Sequence, residues 1–497
     1  MKKPIPVIDL FAGPGGLNEG FSRLDEDSGR PAFETVGSYE MESTAISTLR
    51  LRSAYRHLLR KGGVPDEYYE YIKGEITLDD FKRVSEVQEA FEAAEAHVHQ
   101  VELGGENDDA VDTIRSALGN AGVLDQRAAW VLIGGPPCQA YSLAGRSRRT
   151  NDPLFAKDKK HFLYREYLNI IRSFEPPVFV MENVKGLLSS TTNGASMFEL
   201  ILEDLRNLKS GLDYDVYSLV TGAAPKTPAD LIIRAEEYGV PQKRHRVILL
   251  GIRRGFFPET TRVGSLTRSD EEVTVRDALR SFTPLRSGIS PVSADSGERW
   301  TQIRDGIAKA YGSQGARRQG NLHRGARSTA RSELPESEHF REWVIDPRLD
   351  SMIQHESRNH MEKDLERYWY ASTAAIGGTS PKLSEFPKDL QPNHKNADLD
   401  SHPFEDRFRV QVWDKPSTTI VSHISKDGHY YIHPDPDQMR SLTVREAARL
   451  QTFPDNYFFV GSRTQQYHQV GNAVPPLLAN QIAQVVADLF DSVDARD

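Results

Sequence analysis

Short apolar runs alternate with amphipathic stretches over the first half of the chain. Pro6-Val-Ile-Asp-Leu-Phe11 has the apolar density of a buried strand. It enters Ala12-Gly13-Pro14-Gly15-Gly16, after which Leu17, Phe21 and Leu24 mark a helix face. Glu34 to Tyr39 predicts a second strand ending at Glu40, and residues 43–60 predict a helix. Residues 61–97 are acidic with helical stretches and look like an insertion. A third strand is expected over 97–103, with Glu102 near its end. The apolar run Trp130 to Ile133 stops at Gly134-Gly135-Pro136-Pro137. Further on come a helix over 162–174, a strand closing on Glu182-Asn183-Val184, a helix over 197–208, an edge strand over 214–220 and a strand entered through 242–251. This rhythm predicts an α/β fold with an open, Rossmann-like sheet. Such sheets bind ligands at the C-terminal ends of their strands.

From about 256 to 410 the rhythm breaks into short segments with scattered Gly and Pro. Regularity returns near Trp413, with a helix over 443–452. Gly471-Asn472-Ala473-Val474-Pro475-Pro476 then opens a last amphipathic helix over 477–490. The expected organisation is a main domain over 1–255, a smaller irregular domain over 256–410, and a return segment over 411–497 that completes the first. At 497 residues, with 38% apolar and 27% charged, the chain suits a globular protein of a few domains.

A single cysteine excludes a disulfide framework and fits a reducing cytoplasm. No apolar run approaches the ~20 residues that cross a bilayer, so no membrane partner is expected. No metal site is read. The net charge of −9 excludes an overall basic coat but not a local basic groove. Arg146, Arg148 and Arg149 sit in a polar stretch without core pattern, which reads as a basic loop. Residues 311–332 hold Arg317, Arg318, Arg324, Arg327 and Arg331 and no acid. Such a run is either a solvated face or a phosphate-binding loop.

The candidate chemistry gathers on one predicted rim. Cys138 follows two prolines that fix their own φ, so it sits on stiff backbone, as a nucleophile requires. A buried structural cysteine would more commonly lie within the strand than after a Gly-Gly-Pro-Pro lead. Glu182 and Asn183 end a neighbouring strand, where a carboxylate beside a thiol can serve acid–base chemistry. Glu40 stands where such folds grip ribose hydroxyls; the alternative is a carboxylate favoured by a helix dipole. The Gly-x-Gly-Gly spacing departs from the dinucleotide pattern and disfavours a nicotinamide oxidoreductase. Gln242, Arg244 and Arg246 alternate and would share one face, able to hold an anion or a base edge.

Taken together, Phe11-Ala-Gly-Pro-Gly-Gly, Gly135-Pro-Pro-Cys-Gln, Glu182-Asn-Val, Gln242-Lys-Arg-His-Arg, the block from Arg445 to Asp455 and Gln469-Val-Gly-Asn-Ala-Val-Pro-Pro resemble the DNA cytosine-5 methyltransferases, in the family's order. The resemblance implies an S-adenosylmethionine-dependent methyltransferase domain with a target-recognition domain at 256–410. It implies methyl transfer to cytosine C5 in a specific duplex DNA sequence. Cys138 would add to C6 of a flipped-out base, Glu182 would contact N3 and the amine, Asn183 and Arg246 would take base-pocket positions with Arg246 on O2, and Arg244 would support that pocket. Phe11, Gly13, Gly15 and Gly16 would lie beneath the methionine part of the cofactor. Glu40 would meet the ribose and Met41 the adenine, with Pro137, Leu163, Asn472 and Val474 lining the site. Glu102 or Glu75 would face the adenine edge, Glu102 being preferred. The arginines at 146, 148, 149, 317, 318 and 324 would meet DNA. The final helix would return to pack on the first. One subunit suffices for the chemistry, so a monomer is expected. A restriction endonuclease acting on the same site is a family expectation. An RNA cytosine-5 methyltransferase and an idle binding module are the competing readings.

Overall fold

The computed structural model describes residues 3–25, 29–105, 108–137, 163–188, 191–192, 195–206, 208–209, 211–311, 322–392 and 405–494. Its centre is an eight-stranded sheet. β1 (Ile5–Leu10), β2 (Phe33–Glu40), β3 (Val98–Gln100), β4 (Val131–Gly134) and β5 (Val178–Val184) run parallel, in the order β3-β2-β1-β4-β5. The His245–Arg253 strand then pairs antiparallel with β5, with Tyr214–Tyr217 and with Ile232–Arg234. β1 and β4 are buried on both faces, which is why, Asp9 apart, they read as apolar runs rather than alternating ones.

Helices cover both faces. On one, Leu17 and Phe21 of α1 (Gly16–Ser22) pack with Leu478, Ile482 and Val486 of the Pro476–Asp494 helix. The final helix thus returns onto the first, as expected. Gly20 permits this contact, since a Cβ there would lie 2.4 Å from that of Ala479. On the other face, Ile114 of the Ala110–Ala121 helix, Leu168 and Ile171 of the Leu163–Phe174 helix, and Ile201 cover Leu132 and Phe179. α2 (Ser43–Lys61) follows β2.

Phe256, Phe257, Val263 and Leu266 still pack on this main core. Beyond them the chain forms short helices and two-stranded ladders. The helices include Gly297–Tyr311 and Glu362–Ala374, and Gly325–Ala330 pairs antiparallel with Ser351–Glu356. Val275, Phe282, Phe340 and Met352 share a core with Ile420, Leu442, Leu450 and Phe459. Within it the Val444–Leu450 helix begins at a Thr443/Glu446 capping box. Arg449 pairs with Asp455 and Arg440 with Glu446, all four side chains at 0–1% exposure. Much of the Arg445–Asp455 block therefore serves the fold.

The structure departs from the sequence reading in several places: the edge strand stops at Tyr217, and the Ala110–Ala121 helix and the Ile232–Arg234 strand were not expected. The third strand is shorter than 97–103. Gly471-Asn472 close a helix, Arg463–Asn472, that the sequence reading lacks, because Arg-Thr-Gln-Gln-Tyr-His-Gln carries no apolar stripe. Gln242-Lys243 pairs with Ser417-Thr418 instead of opening the strand that starts at His245. Among the described residues, no helix is long and apolar enough to cross a membrane.

Candidate active site

The C-terminal ends of β1, β2, β4 and β5 form one rim. After β1 the chain turns through Phe11 at φ 53°, Gly13 at 55° and Gly15 at 89°. This left-handed backbone suits glycine and is costly for phenylalanine. The Glu40 carboxylate ties the turn to the next strand. It accepts from Gly13 N at 2.8 Å and from the Met41 and Glu42 amides at 2.9 Å each. Tyr457 donates its hydroxyl to the Pro14 carbonyl from the far end of the chain. Gly16 lies against Val474, whose carbonyl oxygen would stand 2.2 Å from any Cβ at position 16.

Beyond β4, Gly135 and Pro137 are half-buried and Pro136 is buried. The buried Asn183 donates to the Pro136 carbonyl at 3.0 Å and accepts from Val184 N at 2.8 Å, clamping the proline loop to β5. Glu182 lies beside that loop: a Cβ on Gly135 would be 3.1 Å from its Oε2. Glu182 Oε1 meets Arg246 Nε at 2.8 Å, with side-chain exposures of 13% and 12%. Burial pulls the Arg246 guanidinium down from its ordinary value, and Glu182 opposes that shift.

Arg244 is placed differently. Fully buried, it donates to the carbonyls of Ile420 at 2.7 Å and Gly471 at 3.3 Å. Gln242 likewise holds Leu450, Gln451 and Ile420. These two side chains fasten the return segment to the rim behind Arg246. The shared face expected for Gln242, Arg244 and Arg246 is therefore divided between bracing and the pocket.

Met41 is 57% exposed at the end of β2, and its carbonyl accepts from Gln100 Nε2 at 3.1 Å. Glu102 is exposed just past β3, where Val101 N donates to the Glu40 carbonyl. Glu75 instead follows the Asp66–Lys73 helix and pairs with Lys73 at 3.2 Å. Leu163 is half-buried and Asn472 is exposed at its helix end. Arg324 is engaged internally, with Asp295 at 2.8 Å and the Ser357 carbonyl at 3.0 Å. That internal engagement sets aside the expectation that it meets DNA. Cys138, the basic stretch with Arg146, Arg148 and Arg149, and Arg317 and Arg318 lie outside the described residues.

Asp9 was not singled out from the sequence. It is fully buried in β1, and neither carboxyl oxygen has a hydrogen-bond partner. Burial pushes its carboxyl up to about 8, so it is largely protonated at neutral pH. The signal was there: one acid in the middle of Val-Ile-Asp-Leu. Behind it, Glu19 is gripped by Arg52 and Arg56 at 2.5 and 2.7 Å, which hold it low despite its burial.

The residues present fit a nucleoside cofactor bearing an amino-acid arm. Gly13 faces open space, with nothing within 4 Å of a Cβ built there, and Glu40 stands at the strand end beside it. Sheet order, glycine turn and strand-end carboxylates together define an S-adenosylmethionine-dependent methyltransferase fold. The chain belongs to the C-5 cytosine-specific DNA methylase family, whose sequence profile matches residues 123–488. It is a DNA (cytosine-5-)-methyltransferase. Type II methyltransferase M.Bpa9945I of Bacillus paralicheniformis is 34% identical, over 98% of this chain and 99% of that protein. DNA (cytosine-5-)-methyltransferase M.ApeKI of Aeropyrum pernix is 27% identical over 73% of this chain and 82% of its own length. A solved E. coli prophage protein, assigned as a DNA modification methyltransferase, shares the fold. It has a TM-score of 0.55 at 18% identity and covers 98% of this chain and 99% of its own.

Proposed function

We propose that the chain methylates C5 of cytosine within one specific duplex DNA sequence, through a covalent adduct between Cys138 and C6 of a flipped-out base. The observation that carries this is the Glu182–Arg246 pair, 2.8 Å apart, set against the proline loop that leads to Cys138. S-adenosylmethionine, when bound, supplies an electrophilic methyl group on a sulfonium.

C5 of cytosine is a weak nucleophile. Addition of the Cys138 thiolate to C6 shifts electron density onto C5 and N3. Glu182 would contact N3 and the exocyclic amine and ease the charge that builds up as the thiolate adds. Arg246 would hold the base O2, and the buried Asn183 would keep the proline loop, and with it the thiol, in line. After C5 gains the methyl, its proton leaves to a base and the thiolate is expelled from C6, restoring the ring. The reacting atoms are unreachable inside a duplex, so the base must leave the stack.

For the cofactor, Phe11, Gly13, Gly15 and Gly16 would lie under the methionine arm, Glu40 at the ribose and Met41 at the adenine. Glu102 is preferred over Glu75 at the adenine edge because it follows β3 beside Glu40. Pro137, Leu163, Asn472 and Val474 would line the remainder. Residues 1–255 with 411–497 would form the catalytic domain and 256–410 the target-recognition domain. Arg146, Arg148 and Arg149 of the catalytic domain and Arg317 and Arg318 of the target-recognition domain would contact DNA. The relatives' names support a type II setting, in which a restriction endonuclease acting on the same site would be the partner.

The test is methyl transfer from labelled S-adenosylmethionine to mixed-sequence duplex DNA or to bulk transfer RNA, with product mapping. 5-Methylcytosine in DNA at one recurring short sequence is expected. Label confined to RNA would overturn the substrate, and no label with cofactor bound would overturn the activity.

A further inference from the structure

The acidic stretch at 61–97 folds onto the molecule. It forms α3 (Asp66–Lys73), α4 (Leu78–Lys82) and α5 (Ser85–His97), and α5 lies along α2. Ile72, Phe81 and Phe91 share one apolar core with Leu51 and Leu58 of α2. That core also takes in Leu349, Ile353 of the hairpin strand Ser351–Glu356, and Phe458 of the return segment. The insertion therefore joins the catalytic helix layer to the hairpin.

Gly325–Ala330 and Ser351–Glu356 pair only with each other, and a two-stranded ladder needs packing against its surroundings to hold its place. The return segment holds one side, through Arg445 on the Ile353 carbonyl and Gln354 on the Phe459 carbonyl. On the side of the insertion its side-chain anchor is Arg327. This residue donates to the carbonyls of Tyr71 and Ile72 in the last turn of α3, where a cation is favoured; the Tyr71 carbonyl also accepts from the Gly74 amide. The guanidinium also lies 4.8 Å from the Phe458 ring centroid and 5.3 Å from that of Tyr71. Gly74 makes the seat. At φ +88° it closes α3 in the left-handed conformation, and a Cβ there would stand 2.7 Å from Arg327 Cδ. A second tie lies alongside, where Tyr69 donates to Asp346 at 2.7 Å and Arg348 meets Asp66 at 2.6 Å.

We propose that the insertion is a brace that fixes the 325–356 hairpin relative to the catalytic rim, and that Arg327 and Gly74 are positioning residues for DNA engagement. This rests on reading 256–410 as the DNA-reading segment. Sequence readout requires the reading surface and the base pocket to be held in fixed relation. A hairpin held between the return segment and the insertion's helices meets that need. The arginine-rich run then has two parts: Arg324, Arg327 and Arg331 hold the hairpin from inside, whereas Arg317 and Arg318 are left for DNA.

The test uses the full chain. Arg327→Met keeps the stem and removes the donors. It is expected to raise KM for duplex DNA by about tenfold and to increase methylation at near-cognate sites. kcat at saturating DNA and S-adenosylmethionine affinity should stay within about twofold. Hydrogen exchange should speed up at 325–330 and 351–356 but not in α2. In a double-mutant cycle, Gly74→Ala should weaken DNA binding in the wild type and weaken it less in an Arg327→Ala background, where the clash is gone. A folded Arg327→Met protein with unchanged DNA KM, discrimination and hairpin exchange would overturn the brace. So would a fall in kcat and cofactor affinity in step with DNA binding. If the wild type binds no DNA, the recognition reading falls, while hairpin exchange still decides whether the insertion braces.

Discussion

Asn183 offers the sharpest test of how the fold holds the thiol. Its amide nitrogen donates to the Pro136 carbonyl at 3.0 Å, and its amide oxygen accepts from Val184 N at 2.8 Å, at 4% exposure. Asn183→Asp keeps the shape and replaces the amide donor by a carboxylate oxygen facing the Pro136 carbonyl, so it breaks the bond to the loop and adds a buried charge. Withdrawing a donor from a buried carbonyl costs about 1–3 kcal/mol, and with the charge added the unfolding free energy should drop by at least that amount. The proline loop then loses its tether two residues before Cys138. A displacement of about 1 Å at a nucleophile costs on the order of 10²-fold in rate. The single-turnover methyl-transfer rate, measured with DNA and cofactor both saturating, should fall by about 10²-fold, and cofactor affinity by calorimetry should hold within about twofold. Urea unfolding reports the stability part separately. An Asn183→Asp protein that is less stable but transfers methyl at the wild-type single-turnover rate would refute the reasoning, because the tether would then serve the fold and not the thiol.

Two further outcomes follow from the cofactor side of the rim. Asp9 is held protonated in the fold, with its carboxyl pushed by burial from 3.8 to about 8. A raised acid favours the native state at low pH and loses that advantage as pH climbs through the folded value. The unfolding free energy of wild type minus that of Asp9→Asn should therefore fall between about pH 4 and pH 8 and flatten above. A difference that rises with pH, followed by urea unfolding, would contradict a buried neutral acid. Gly16→Ala should abolish cofactor binding or folding, since the new Cβ meets the Val474 carbonyl at 2.2 Å and backbone cannot yield that far. Wild-type affinity in a folded variant, by calorimetry, would show that the close approach is unnecessary.

The sheet and the rim were legible because strands buried on both faces must be apolar throughout, so a polar residue at a run's end stood out. Glu40 and Glu182 were found in this way. What could not be read were partnerships between residues far apart in the chain. Arg244 was expected to support the pocket beside Arg246, but the groups it holds, the carbonyls of Ile420 and Gly471, lie far off in sequence and could not be named from it. Arg324 looked free for phosphate because no acid lies near it in sequence, yet Asp295 lies beside it in space. The Arg463–Asn472 helix escaped because its stability comes from a cap at Ser462 and from Tyr467 and Val470 in the core, not from an apolar stripe.

The central claim is that Cys138 attacks cytosine C6. Duplex DNA carrying 5-fluorocytosine at the methylated position tests it directly, because fluorine cannot leave C5 as a proton does and elimination of the thiol is blocked. With S-adenosylmethionine present, the wild-type protein should form a denaturation-resistant complex with DNA whose cross-linked peptide contains Cys138, and Cys138→Ser should form none while still binding cofactor. A complex mapped to another residue, or methylated product from Cys138→Ser, would contradict the account.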